Sequence, residues 1–85
     1  MIETTIGIDG MMCDMCEAHI NDAIRKHFSV KSTKADRRKK RCTVVSENPL
    51  DEAEVRRVIA QTGYDFLSFE SQPYQKKGFL GLFRS

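Results

Sequence analysis

The sequence predicts an α+β fold, a single four-stranded antiparallel sheet with two helices on one face, in the order β-α-β-β-α-β. Three observations predict it. Residues 2–9 alternate in polarity with a period of two, apolar residues recur at helical spacing in two separate segments, and short β-prone runs lie between and after those segments. Their order within about seventy residues is that of the split βαβ, ferredoxin-like arrangement.

The first strand covers residues 2–9, with Thr4, Ile6 and Ile8 on one face and Glu3, Thr5, Gly7 and Asp9 on the other. Gly10 breaks the alternation. From about Met15 to Phe28, Ile20, Ala23, Ile24, His27 and Phe28 recur as a helical stripe, with Ser29 as its stop. Residues 30–36 read as a second strand, with Val30, Thr33 and Ala35 as the less polar members, and the charged run 36–41 connects it to the next. Cys42-Thr43-Val44-Val45 is a β-branched run whose inward face is open: either Cys42 and Val44 or Thr43 and Val45. The second helix has two competing starts. Asp51 with Glu54 fits a capping box, and Asn48 before Pro49 fits a proline first turn. Val55, Val58 and Ile59 form its buried stripe and Gly63 ends it. Residues 64–70 are the last strand.

Composition narrows the function classes. A chain of 85 residues makes one small domain, and 40% hydrophobic with 31% charged residues suits a soluble globular chain. No apolar run is long enough for a membrane span, and no export signal is visible. Three cysteines are an odd number and too few for a disulfide scaffold, so a reducing cytoplasm is expected. The net charge of +2 is unevenly spread: residues 20–45 hold nine basic side chains against two acidic ones. Such a face is either simply solvated or steers an acidic partner, with Lys34, Arg37 and Arg38 as candidate contacts. Paired carboxylates, a serine–histidine arrangement and a phosphate-binding glycine loop are all absent, so an enzyme is not expected.

The most specific chemistry lies at the first strand-to-helix junction, Gly10-Met11-Met12-Cys13-Asp14-Met15-Cys16. Two thiolates three residues apart can face one metal ion from a single turn of backbone. A helix N-terminus stabilises thiolate, most directly at Cys16 in the first turn. Thiolates are soft and favour Cu(I), with Zn(II), Cd(II) and Hg(II) as competitors; two ligands suit a low-coordinate Cu(I), whereas a structural zinc site wants four.

The glycine-methionine and CxxC pattern, set in a β-α-β-β-α-β chain, resembles the heavy-metal-associated domain family. That family includes copper chaperones and the N-terminal domains of copper-transporting P-type ATPases. The match extends to Ile20, Ala23 and Ile24, to Val30, and to Gly63-Tyr64, and covers residues 2–70. The resemblance implies a metallochaperone that holds Cu(I) at Cys13 and Cys16 and passes it to a P-type ATPase or a metal-responsive regulator. It implies that Met11 supports the loop from below and that Tyr64 lies beside the metal. Tyr64 then either shields or hydrogen-bonds the thiolates, or is a core aromatic. Met12 and Met15 read as exposed contact residues in preference to ligands. Relatives of the zinc and cadmium type often carry an acidic residue where Met12 stands, which tilts the choice toward Cu(I). His19 and Cys42 are expected to be a solvated histidine and a small apolar filler, not ligands.

A second class of function is a non-catalytic interaction module whose basic stretch binds an acidic protein or nucleic acid. Nucleic acid is not expected, because the strand carrying Ile6 and the one carrying Val44 have no aromatic side chains for stacking bases. A monomer is expected, or a dimer in which two loops share one ion. Residues 1–70 are expected to form the domain, with 71–85 a linker and a short apolar tail at 78–85. Leu67 and Phe69 are expected to face away from the helices, opposite Phe66, with Gly7 leaving room beside them. That bare face would be a dock for the tail; weak membrane contact or partner binding by the tail are the alternatives.

Overall fold

A computed structural model describes residues 1–74. Its elements run β1 (Ile2–Asp9), α1 (Asp14–His27), β2 (Ser32–Asp36), β3 (Arg41–Ser46), α2 (Glu52–Thr62) and β4 (Asp65–Pro73). The four strands form one sheet in the order β2-β3-β1-β4, every neighbouring pair antiparallel. This is the expected ferredoxin-like arrangement. Among the described residues no helix is long and apolar enough to cross a membrane.

Alternation decides which face is buried. Thr4, Ile6 and Ile8 on β1, Thr33 and Ala35 on β2, and Cys42 and Val44 on β3 turn toward the helices, and all are buried. Ile20 and Ile24 of α1 and Val55 and Ile59 of α2 close over Ile6, Ile8 and Val44, forming one continuous apolar core. The open choice on β3 is therefore resolved in favour of Cys42 and Val44. β2 begins at Ser32, two residues later than expected; Lys31 already pairs by its N–H with the carbonyl of Val45, leaving Val30 half-buried in the connection. His27, a member of the expected helical stripe, is exposed at the end of α1.

Asp51 is the N-cap of α2, its carboxylate accepting from the Ala53 N–H at 3.1 Å. The reciprocal half of a capping box is not made, because Glu54 pairs with Arg57 at 2.9 Å. Gly63 ends the helix in the left-handed region, at φ 90°, where a side chain is strained.

The clearest departure from expectation is on β4. Ile8 pairs with Phe66 and Gly7 with Ser68, so Leu67 has no partner on β1 and a β-bulge sits there. Beyond the bulge the facing inverts. Phe69, paired with Ile6, packs on the core together with Phe66, while Leu67 stays 54% exposed on the outer face. The expected outward pair Leu67 and Phe69 is therefore wrong for Phe69, because one extra residue resets a period of two. Nor is there free room at Gly7: a methyl group there would overlap the Ser68 hydroxyl and stand 3.1 Å from its backbone nitrogen. The apolar tail at 78–85 lies outside the described residues.

β4 also runs further than expected, to Pro73. Its partner dictates this, since Thr4, Glu3 and Ile2 pair in turn with Ser71, Gln72 and Pro73. One more bond, Tyr74 N–H to the Met1 carbonyl at 3.0 Å, closes this end of the ladder.

Candidate metal centre

The loop between β1 and α1 is built by backbone constraints on both sides. Gly10 has φ 104°, a conformation that a side chain would strain, and the Tyr64 ring lies over it: a β-carbon at Gly10 would be 3.3 Å from that ring. Asp9 accepts from the Gly10 N–H at 2.9 Å and pairs with Lys40 at 3.6 Å. Met11 then turns inward, only 8% exposed, and joins the core beneath the loop.

Cys13 is the N-cap residue of α1, with extended φ −155° and ψ 178°, and its carbonyl accepts from the Cys16 N–H at 3.0 Å. N-caps are usually Ser, Thr, Asp or Asn, whose oxygens satisfy a first-turn amide, and losing such a cap costs about 1 kcal/mol. The Cys13 side chain makes no capping bond. The helix gives up that stabilisation and keeps a sulfur free at its electropositive end.

Cys16 lies one turn on, and the two Sγ atoms are 3.8 Å apart. Cys13 is exposed and Cys16 half-buried, and both are free thiols. With metal–sulfur bonds of about 2.3 Å, both sulfurs can reach one shared ion from this separation, and the exposed Cys13 leaves one side of the pair open to solvent. Among the described residues no three His, Cys, Asp or Glu side chains converge to hold a metal.

The electrostatics of Cys16 follow from its neighbours. The Tyr64 hydroxyl is the largest influence, and the backbone amides of Met12 and Cys13 add to it. Against a smaller opposing effect of burial, they bring its pKa from an ordinary 9.0 to about 7. The same proximity raises the Tyr64 pKa, since a phenol beside the Cys16 sulfur holds its proton. Tyr64 is half-buried and packs against the core, beside the loop that carries Gly10.

Met12 and Met15 flank the sulfurs and are 83% and 79% exposed. His19 is exposed and turned to the groove between the helices, with Asp22, Lys26 and Gln61 as neighbours. Cys42 is buried in the core, paired with Ile6 on β1 and with Ala35 on β2.

The basic stretch divides. Asp36 accepts from the amides of Arg38 and Lys39, at 3.0 and 3.2 Å, and folds residues 37–40 into a tight turn. The Lys39 amide is the chief cause holding the Asp36 carboxyl below its usual range. The turn leaves Lys34 and Arg38 exposed. It directs Arg37 inward, where the guanidinium bonds Asp14 and reaches Glu17 at 3.1 Å, while its backbone N–H donates to Glu17 at 2.8 Å. This clasp between the β2–β3 turn and the first turn of α1 was not legible in the sequence, because its partners are 20 and 23 residues apart.

A family model for the heavy-metal-associated domain matches residues 5–65. No curated protein sequence matches significantly. Among solved structures, the yeast copper transporter domain CCC2A is similar at 21% identity and TM-score 0.69, over 88% of this chain and 100% of that one. A copper-binding domain from HMA7, a P-type ATPase, is similar at 23% identity and TM-score 0.69, over 82% and 99% of the two chains. The CopZ metallochaperone is similar at 18% identity and TM-score 0.68, over 76% and 98%. At these identities the structural likeness speaks to the fold.

Proposed function

This chain belongs to the heavy-metal-associated domain family, and from that premise we propose that it is a cytoplasmic carrier of Cu(I), held between Cys13 and Cys16 and handed to a metal-transporting P-type ATPase or a metal-responsive regulator. The observation that carries this reading is the pair of free thiols 3.8 Å apart at a helix N-terminus with one side open. Two soft ligands satisfy a low-coordinate Cu(I) and fall short of the four wanted by structural zinc. The Tyr64 hydroxyl and the Met12 and Cys13 amides stabilise the thiolate form of Cys16 that a soft ion requires.

The open side is what transfer needs. A partner's thiolate adds there before Cys13 or Cys16 lets go, so the cargo changes hands without passing free through water. Met12 and Met15, flexible, apolar and exposed, are suited to meet such a partner's loop. Lys34 and Arg38, also exposed, extend a cationic surface toward an acidic docking face. Similarity to chaperones and to an ATPase metal-binding domain supports this role.

The test is an anaerobic Cu(I) titration against a chromogenic chelator, with native mass spectrometry to count metals per chain and chains per complex. The wild-type chain is expected to take one Cu(I) per chain, or one per two chains if loops share it. A Cys13→Ser, Cys16→Ser double variant that still competes for Cu(I) sinks the reading. Salt-sensitive binding of nucleic acid that ignores both cysteines favours the interaction-module alternative.

A further inference from the structure

The clasp at the start of α1 has a charge that bears on which ion the thiols keep. Asp14 lies between the two cysteines in sequence, and Arg37 holds it together with Glu17. Arg37 and Glu17 are partly sheltered, with side chains 32% and 22% exposed, whereas Asp14 is 89% exposed. Among the described residues no other cation pairs with the first turn of α1. Arg37 is bonded to Asp14 and Glu17, the residues that directly follow Cys13 and Cys16, and Cys13 is among the groups that favour its charged form, after Asp14 and Glu17.

We propose that Arg37 is a positioning residue that biases the Cys13–Cys16 pair toward a monovalent over a divalent cargo, with Asp14 opposing it. This rests on the proposed metal-binding role of the two cysteines. Two thiolates around a monovalent ion carry a net charge of −1, and around a divalent ion a net charge of zero. Replacing Zn(II) by Cu(I) therefore makes the site more negative by one charge, however many protons the free thiols held. A fixed cation nearby stabilises the more negative complex, and a fixed anion stabilises the less negative one. At a solvated surface one such charge is worth about a two- to fivefold change in relative affinity.

The two partners of the clasp therefore separate charge from scaffolding. Arg37→Gln and Asp14→Asn both break the same ion pair, so a purely structural role makes them shift metal affinity alike. A charge role makes them move the preference in opposite directions. The experiment measures Cu(I) and Zn(II) affinities of the full chain by chelator competition, together with thermal unfolding of the metal-free protein. Arg37→Gln is expected to lower the Cu(I)-to-Zn(II) affinity ratio by about two- to fivefold, and Asp14→Asn to raise it by a similar factor. Both are expected to lower the metal-free Tm slightly and alike. Arg37→Lys, which keeps the charge and loses the planar fork, is expected to hold the ratio near wild type. Ratios that shift the same way in Arg37→Gln and Asp14→Asn, or do not shift, overturn the inference while leaving the cysteine site intact. A wild-type chain that binds neither ion overturns both.

Discussion

Two regions of this domain present the same functional group to opposite surroundings. In the β1–α1 loop, Cys16 sits at a helix start, where the Tyr64 hydroxyl and backbone amides lower its pKa to about 7. On β3, Cys42 is 0% exposed, 3.2 Å from the Thr33 hydroxyl and 4.0 Å from Asn21 Oδ1, and burial pushes its thiol up. One thiol is placed among donors that favour its anion; the other is placed where an anion would lose its hydration and gain little. Residue type confers thiol reactivity, and backbone position decides how readily the thiolate forms.

The comparison can be broken most visibly by alkylation. In the metal-free native protein, Cys13 and Cys16 are expected to react freely with iodoacetamide. Cys42 should react only through opening of the core, about a thousandfold more slowly or beyond, given the usual stability of small domains. Mass mapping of the labelled sites reads this directly, and comparable labelling of all three cysteines would contradict the packing. Next in size is metal binding. Cys13→Ser or Cys16→Ser is expected to weaken Cu(I) binding by more than the roughly 10–100-fold typical of outer-shell substitutions, as a chelator competition would show, with the fold retained by circular dichroism.

The converse substitution sharpens the contrast. Cys42→Ala is expected to leave Cu(I) affinity unchanged and to cost about 1–2 kcal/mol of stability through the cavity it opens. In a domain of this size that lowers Tm by about 5–10 °C in a thermal melt. The smallest effect is expected at Tyr64. Its hydroxyl favours the thiolate of Cys16, so Tyr64→Phe should favour the protonated thiol and move the titration midpoint up from about 7 toward 9.0. Thiolate absorbance of the metal-free protein against pH checks the sign: at pH 7 the variant should hold less thiolate than wild type.

Much of this architecture was legible in the sequence because it rests on periodicity. The alternation of Thr4, Ile6 and Ile8, the stripe of Ile20 and Ile24, and Gly63 past the end of α2 each have a local physical cause. The CxxC at the strand-to-helix junction was equally plain. What escaped were features set between distant segments. Nothing within residues 65–70 marks Leu67 as the bulged residue; the register against Gly7 and Ile8 does, and it turns Phe69 inward. The facing of Cys42 depended on which way β3 met β1. Arg37 looked like one more cation in a basic run, and only the turn made by Asp36 directs it to Asp14 and Glu17.

The bond between Tyr74 and Met1 has a mechanical consequence. β1 and β4 are antiparallel neighbours, so a pull applied through residues 1 and 74 separates two strands that start side by side. The load then falls along the cross-strand bonds and breaks them singly, as a zipper opens, instead of shearing the whole ladder together. Asp9 paired with Asp65 marks the other end of that ladder, next to the CxxC loop. Over eight residues of β1, at about 3.3 Å each, tension entering at the ends of this domain reaches the thiols last.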